Sequence, residues 1–208
     1  MLSKVQQKRR EYIAGLNQLI PLSKQHQYTI KDLKKGSYLS IGKENFTVLS
    51  TSTYLETKWE NFKKKKNDYY ITELELFCIG SGEVRYIEWE EDDEIEAYIT
   101  TGVLALKSLK HQNKPVTKKT LDNIAENEEG ILTVNGVEYH YDDEDTFSAL
   151  YNSDKHTDIP VRVFEFYCDN AKSLSVEFWY DDNDDIKPEK EAFFSEELNL
   201  TTLTVLQL

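Results

Sequence analysis

Six side chains could supply soft or near-neutral chemistry: Cys78, Cys168, His26, His111, His140 and His156. A zinc site needs closely spaced pairs such as CxxC or HxxxH, and neither spacing occurs. His140 lies in VEYHYDDEDT, next to Asp142, Asp143, Glu144 and Asp145. A metal there would need converging carboxylates, and a solvated acidic loop is the commoner fate of such a run. DDNDDIKPEKEA (181–192) sets Asp181, Asn183 and Asp185 at the first three spacings of a calcium loop. The glycine such a loop needs at its sixth position is Ile186, and the glutamate needed at its twelfth is Ala192. Metals and cofactors are therefore not expected.

Nucleophilic catalysis has equally little support. Gly80-Ser81-Gly82 is shorter than a GxSxG elbow and joins two strands, where the elbow needs a strand and a helix. The cysteines sit in strand patterns, which favours burial over reactivity. Carboxylate pairs cannot be singled out among 38 acidic residues. FKKKKND (62–68), flanked by Trp59, Phe62, Tyr69 and Tyr70, mixes charge and aromatics as single-strand binders do. A net charge of −13 opposes that use, so an exposed turn whose lysines discourage strand-edge pairing is the better reading. Candidate partner-binding residues are Trp59, Trp89 and Trp179 with the acids Asp181 and Asp182, because tryptophans at acidic strand ends can anchor a basic surface.

These residues stand on strands. FEFYCDNAKSLSVEFWYDD (164–182) and LELFCIGSGEVRYIEWEED (74–92) each run from an apolar stretch through a cysteine and a turn to a tryptophan and acids. The two cysteines lie 90 residues apart, as do Trp89 and Trp179, and Glu75 and Glu165. Upstream, IGKENFTV (41–48) matches VNGVEYHY (134–141) at an offset of 93. An offset of 89 would instead align Ile87-Glu88 with Val176-Glu177, and both registers stay open. The matched Glu75 and Glu165 suggest a structural pair across a pseudo-twofold axis. Period-two alternation with glycine turns predicts hairpins in each copy.

Residues 3–20 read as an amphipathic helix capped by Ser3 and stopped by Pro21. LDNIAENEEG (121–130) reads as a short helix ending at Gly130. Residues 96–108 fit a strand, with a helix after Gly102 as the alternative, and 198–208 fit a final strand. The expectation is a mainly β (α+β) chain of two tandem pseudo-symmetric antiparallel β units, packed as a sandwich or partly open barrel. Its parts are an N-terminal helix (1–24), a first β repeat (25–110), a linker with a short helix (111–130) and a second repeat (131–208).

TIKDLKKGSYLSIGKENFTV (29–48) resembles the opening block of domain-of-unknown-function family 4178, and EFYCDNAKSLSVEFWYDD (165–182) resembles its closing block at Leu174, Ser175, Glu177 and Trp179. The resemblance would span residues 29–206. It implies a bacterial protein with no established activity, often encoded beside membrane-stress systems of the phage-shock type. The lysine run and the N-terminal helix depart from that pattern.

Charge and hydropathy narrow the function. The pI near 4.8 disfavours nucleic acid and anionic lipid. No apolar run approaches the roughly 20 residues of a bilayer span, and the N-terminus lacks the continuous apolar core of a signal peptide. The expectation is a cytoplasmic, non-enzymatic accessory protein with a protein partner. The alternative is an acidic immunity-type inhibitor of a basic toxin or nuclease.

Overall fold

Tight turns set the hairpins. In the computed structural model, which describes residues 3–16, 18–66, 69–168, 172–180 and 189–208, strand β1 (Tyr38–Ile41) turns at Gly42-Lys43 into β2 (Glu44–Thr57). Gly42 has φ +56°, which a side chain would resist. β3 (Tyr70–Cys78) passes through the Gly80-Ser81-Gly82 turn into β4 (Val84–Glu91), and β5 (Ile95–Val103) follows. The short β6 (Lys110–His111) and β7 (Lys114–Pro115) flank Gln112 and Asn113, both at positive φ. β8 (Ile131–Val134) and β9 (Val137–Asn152) flank Asn135-Gly136, at φ +50° and +82°, as a type I′ turn requires. β10 (Ile159–Cys168), β11 (Lys172–Trp179), β12 (Glu189–Glu197) and β13 (Leu203–Gln207) complete the strands.

The chain is mainly β and antiparallel, with helices at the N-terminus and between β7 and β8. It divides into two units that interleave in sequence. The first comprises 1–52, 72–97 and 198–208, and the second 53–71 and 98–197. β2, β3 and β5 each begin in one unit and end in the other.

In the first unit the strand order is β13-β1-β2-β3-β4-β5. Leu39, Phe46, Leu74, Leu76, Ile87 and Val205 are fully buried there. Helix α1 (Lys4–Gly15) has Ser3 as its N-cap, in a reciprocal capping box with Gln6. It places Tyr12 against Phe77, ring centres 5.0 Å apart, and Arg9 Nε donates to the Ile79 carbonyl at 2.7 Å. The helix stops at Gly15, short of the expected residue 20. The Tyr38 hydroxyl donates to the Tyr12 carbonyl at 2.8 Å and occupies the space that a Cβ on residue 15 would need. A separate one-turn helix α2 (Leu22–Gln25) follows Pro21, so the proline starts a helix instead of ending one. The C-terminal segment is a 3₁₀ turn (Leu200–Thr202) and then β13, shorter than the expected strand.

In the second unit the order is β5-β12-β11-β10-β9-β8-β6-β7, and the end of β2 pairs with β9 at Thr53–Thr57. One sheet face carries Phe164, Phe166, Leu174, Val176 and Phe178, covered by Leu121 and Ile124 of helix α3 (Lys118–Asn127). The other carries Tyr54, Ala149, Val161 and Val163, with Tyr151 and Trp179 packed on them. α3 is capped by Thr117 and ends at Glu128, which takes the left-handed conformation itself at φ +54°. Gly130 lies beyond that cap and meets a different need: a Cβ there would stand 2.6 Å from Ile124 Cγ1. β5 ends at Val103 and a 3₁₀ turn follows at Leu106–Ser108, so the segment is mostly strand.

The strand registers bear on the doubled sequence. Leu74 pairs with Ile87 and Leu76 with Arg85. Phe164 pairs with Val176 and Phe166 with Leu174. Between these pairs the first-strand residues lie 90 positions apart and the second-strand residues 89. The partner-equivalent of Trp89, which faces Thr72, is Phe178, which faces Arg162, and not Trp179, which faces Val161.

Candidate binding site

Cross-strand pairing assembles a site that no sequence window contains. On β2, β9 and β10, Thr57 stands opposite Ser148, and Ser148 opposite Arg162. The row continues through Phe178 on β11 to Lys190 on β12. Directly opposed residues project to one face with Cβ atoms about 5 Å apart. This is the face covered by α3.

A strap after β2 closes over Arg162. Lys58 N donates to the Lys63 carbonyl at 2.9 Å, and Phe62 N to the Lys58 carbonyl at 3.0 Å. Phe62 is held at φ +55°, a conformation that costs a bulky residue energy and needs tertiary support. Aromatic contacts supply that support. The guanidinium lies 4.7 Å from the Trp59 ring centre, 5.3 Å from Phe62 and 5.9 Å from Tyr180. Trp59 also meets Phe164 edge-on at 5.4 Å, and Phe62 meets Tyr180 at 5.4 Å. Arg162 Nη2 donates to the Trp59 carbonyl at 2.9 Å. Lys63, Lys64, Lys65 and Lys66 are left exposed, and Lys65 pairs with Glu56.

Among the described residues, the ion pairs around Arg162 leave a positive balance. Arg162 Nη1 is 3.9 Å from Asp122 Oδ1, and Lys118 Nζ binds the same carboxylate at 2.8 Å. Two cations thus share one acid, and Lys190 sits 5.2 Å over the Phe178 ring. Four buried polar atoms here have no hydrogen-bond partner among the described residues: Thr57 Oγ1, Ser148 Oγ, Arg162 Nε and Tyr180 Oη. Thr57 is 2% exposed and Ser148 1%. Native proteins leave few such atoms, because each forfeits its hydration.

The other face of this unit holds an aromatic box. Tyr151 meets Tyr54 at 5.0 Å and Trp179 at 4.8 Å. Trp179 is thus half-buried packing, and its Nε1 has no partner among the described residues. Back on the α3 face, Tyr139 stacks on Phe194 at 5.6 Å. Its phenol is pushed up by burial, with the neighbouring Cys168 adding to the shift.

In the first unit, Glu73 faces Glu88 across β3 and β4, and Glu75 accepts from Ser50 Oγ at 2.7 Å. Burial, and then the like charge of Glu90, raise the Glu88 carboxyl to about 7. Trp89 is half-buried on the opposite face. Beyond it Glu91, Asp92, Asp93 and Glu94 form an exposed tip between β4 and β5. Both cysteines are free thiols, Cys78 buried and Cys168 half-buried.

The expected site residues fall in different environments. Trp59 belongs to the arginine cage, Trp179 to the aromatic box and Trp89 to the first unit. Asp181 and Asp182, and most of the loop weighed for calcium, lie outside the described residues. His111 Nδ1 bonds the Ile131 carbonyl at 2.9 Å, His140 lies 6.0 Å from the Tyr167 ring, and His26 and His156 are exposed. Among the described residues, no group of three or more His, Cys, Asp or Glu is placed to hold a metal ion. No described helix is long and apolar enough to cross a membrane. Arg162 escaped the reading of the sequence; its one signal was a lone cation inside the apolar run VRVFEF.

No curated protein and no solved structure matches the chain. A family model does, over residues 34–187, which is most of the chain and includes the strap and all of β9 and β10. The protein therefore belongs to the family described as a domain of unknown function, DUF4178.

Proposed function

We propose that the protein is a cytoplasmic, non-enzymatic accessory protein that binds a basic protein partner. The observation that carries this reading is the tip Glu91–Glu94 of the first unit, four exposed carboxylates in a row on a chain of net charge −13. Lys31 engages Glu91. Carboxylates presented on a turn between two paired strands attract a basic surface and speed its encounter. The family resemblance supports a place in bacterial membrane-stress systems.

The test is a tagged pull-down from host lysate at low and moderate salt, followed by reconstitution with the purified partner. The wild type is compared with a D92N/D93N/E94Q triple variant. A partner that survives moderate salt and loses affinity with the neutralised tip supports the proposal. A partner bound equally by both proteins removes the tip from the interface, and no stable partner sinks the reading. A toxin or nuclease as partner would turn the reading into the immunity-type one.

A further inference from the structure

We propose that the Arg162 cage of the second unit is a binding site for a phosphate-class oxyanion, free or carried as a small phosphomonoester. The inference is independent of the acidic tip and of any protein partner.

The donors are already oriented by the fold. Arg162 Nε, Thr57 Oγ1 and Ser148 Oγ lie on one face in three adjacent strands, because their backbones are register partners. Tyr180 is set at the rim by its own backbone, whose N–H donates to the Pro160 carbonyl at 2.9 Å. All four side-chain atoms are buried with no partner among the described residues. An oxyanion has enough acceptor oxygens to meet an N–H and three hydroxyls at once.

Charge and chemistry agree on the sign. Among the described residues, a cation would meet Arg162 and Lys118 with one ion-paired carboxylate, Asp122, to offset them. An anion meets one surplus positive charge among the described residues, inside a wall of Trp59, Phe62 and Tyr180 that lowers the local dielectric. Charge-assisted bonds in such a setting are about twice as strong as neutral ones. A planar carboxylate is best served by the parallel fork of a free guanidinium. Here Nη2 is committed to the Trp59 carbonyl and Nη1 lies toward Asp122, so Nε is left with hydroxyls as its companions. That set suits a tetrahedral group.

The strap gives the site an approach. Lys63, Lys64, Lys65 and Lys66 are exposed immediately after Phe62, on a protein whose net charge is strongly negative. Local positive potential would raise the concentration of a small anion at the cage against the repulsion of the rest.

The experiment is calorimetric titration of the full chain with inorganic phosphate, and in parallel with glycerol 3-phosphate, at pH 7.5 and constant ionic strength. Wild type is compared with S148A and T57V. Neither variant changes charge, so nonspecific attraction to the lysines is the same in all three. The proposal expects saturable one-to-one binding, weakened roughly tenfold or more by each variant, the size of one lost charge-assisted bond. Tighter binding of the monoester identifies the ligand as esterified, and binding of phosphate alone identifies it as free anion; both support the site. Absence of saturable binding overturns it, and so does equal binding by wild type and variants. Each variant should fold at least as well as wild type in phosphate-free buffer, since it removes an unpartnered buried hydroxyl. Y180F, at the rim, gives the same comparison should the row variants fail to fold.

Discussion

Replacing Glu88 with glutamine should make the protein more stable at pH 8 than the wild type and leave it nearly unchanged at pH 4.5. Glu88 stands on β4 opposite Glu73, with its carboxyl raised to about 7 by burial and by Glu90. The ordinary value is 4.5. The folded state therefore holds a proton that the unfolded state releases about 2.5 pH units earlier, at 1.36 kcal/mol per unit. Below pH 4.5 both states are protonated and the full contribution is present. Between 4.5 and about 7 it drains away as the unfolded chain ionises first, and above 7 the loss levels off at about 3 kcal/mol. Glutamine keeps the shape and cannot ionise. The assay is urea denaturation of wild type and E88Q at half-unit steps from pH 4.5 to 8.5, followed by probes in the first unit. The stability difference should climb by up to about 3 kcal/mol across that window and then plateau. Carbon-detected NMR of the side-chain carboxyl gives the direct reading, a midpoint near 7. A difference that stays flat with pH, or a carboxyl that titrates near its ordinary value, would refute the argument.

Three further substitutions test the packing. Gly130→Ala should destabilise the second unit by about 1–3 kcal/mol, because the new methyl overlaps Ile124 of α3; thermal melts measure it. Tyr38→Phe deletes the hydroxyl that binds the Tyr12 carbonyl and should cost about 1 kcal/mol, with faster amide exchange in α1. Trp59→Ala removes the ring nearest Arg162 and should lower stability by about 3 kcal/mol while freeing the strap to proteolysis after Lys63–Lys66.

The hairpins were legible because their signals are local. Gly42 and the Gly80–Gly82 turn announced them, and period-two alternation marked the strands between the turns. Helix ends were less legible because tertiary contacts decided them. Nothing near Gly15 in sequence announces that Tyr38, 23 residues on, ends α1. Gly130 was read as a cap from its type, yet Glu128 took the cap and Gly130 answers to Ile124.

The site was illegible for a deeper reason. Thr57, Ser148 and Arg162 are separated by 91 and 14 residues, and each alone is an ordinary strand residue. Only strand register makes them neighbours, and register is a property of pairs. The tryptophans, by contrast, stood out as rare and repeated. Their register separates them: Trp89 and Trp179 share a spacing but not a pairing position, and Trp179 fills the aromatic box on the face away from Arg162. Trp59 is the tryptophan that meets the buried cation, and it does so from an irregular strap that follows β2. Rigid strands fix the row of donors while the strap, with Phe62 in a conformation it would not choose alone, closes over them. That division assigns recognition to register and access to the strap, so changes in the row should alter affinity, and changes in the strap should alter how fast a ligand enters and leaves.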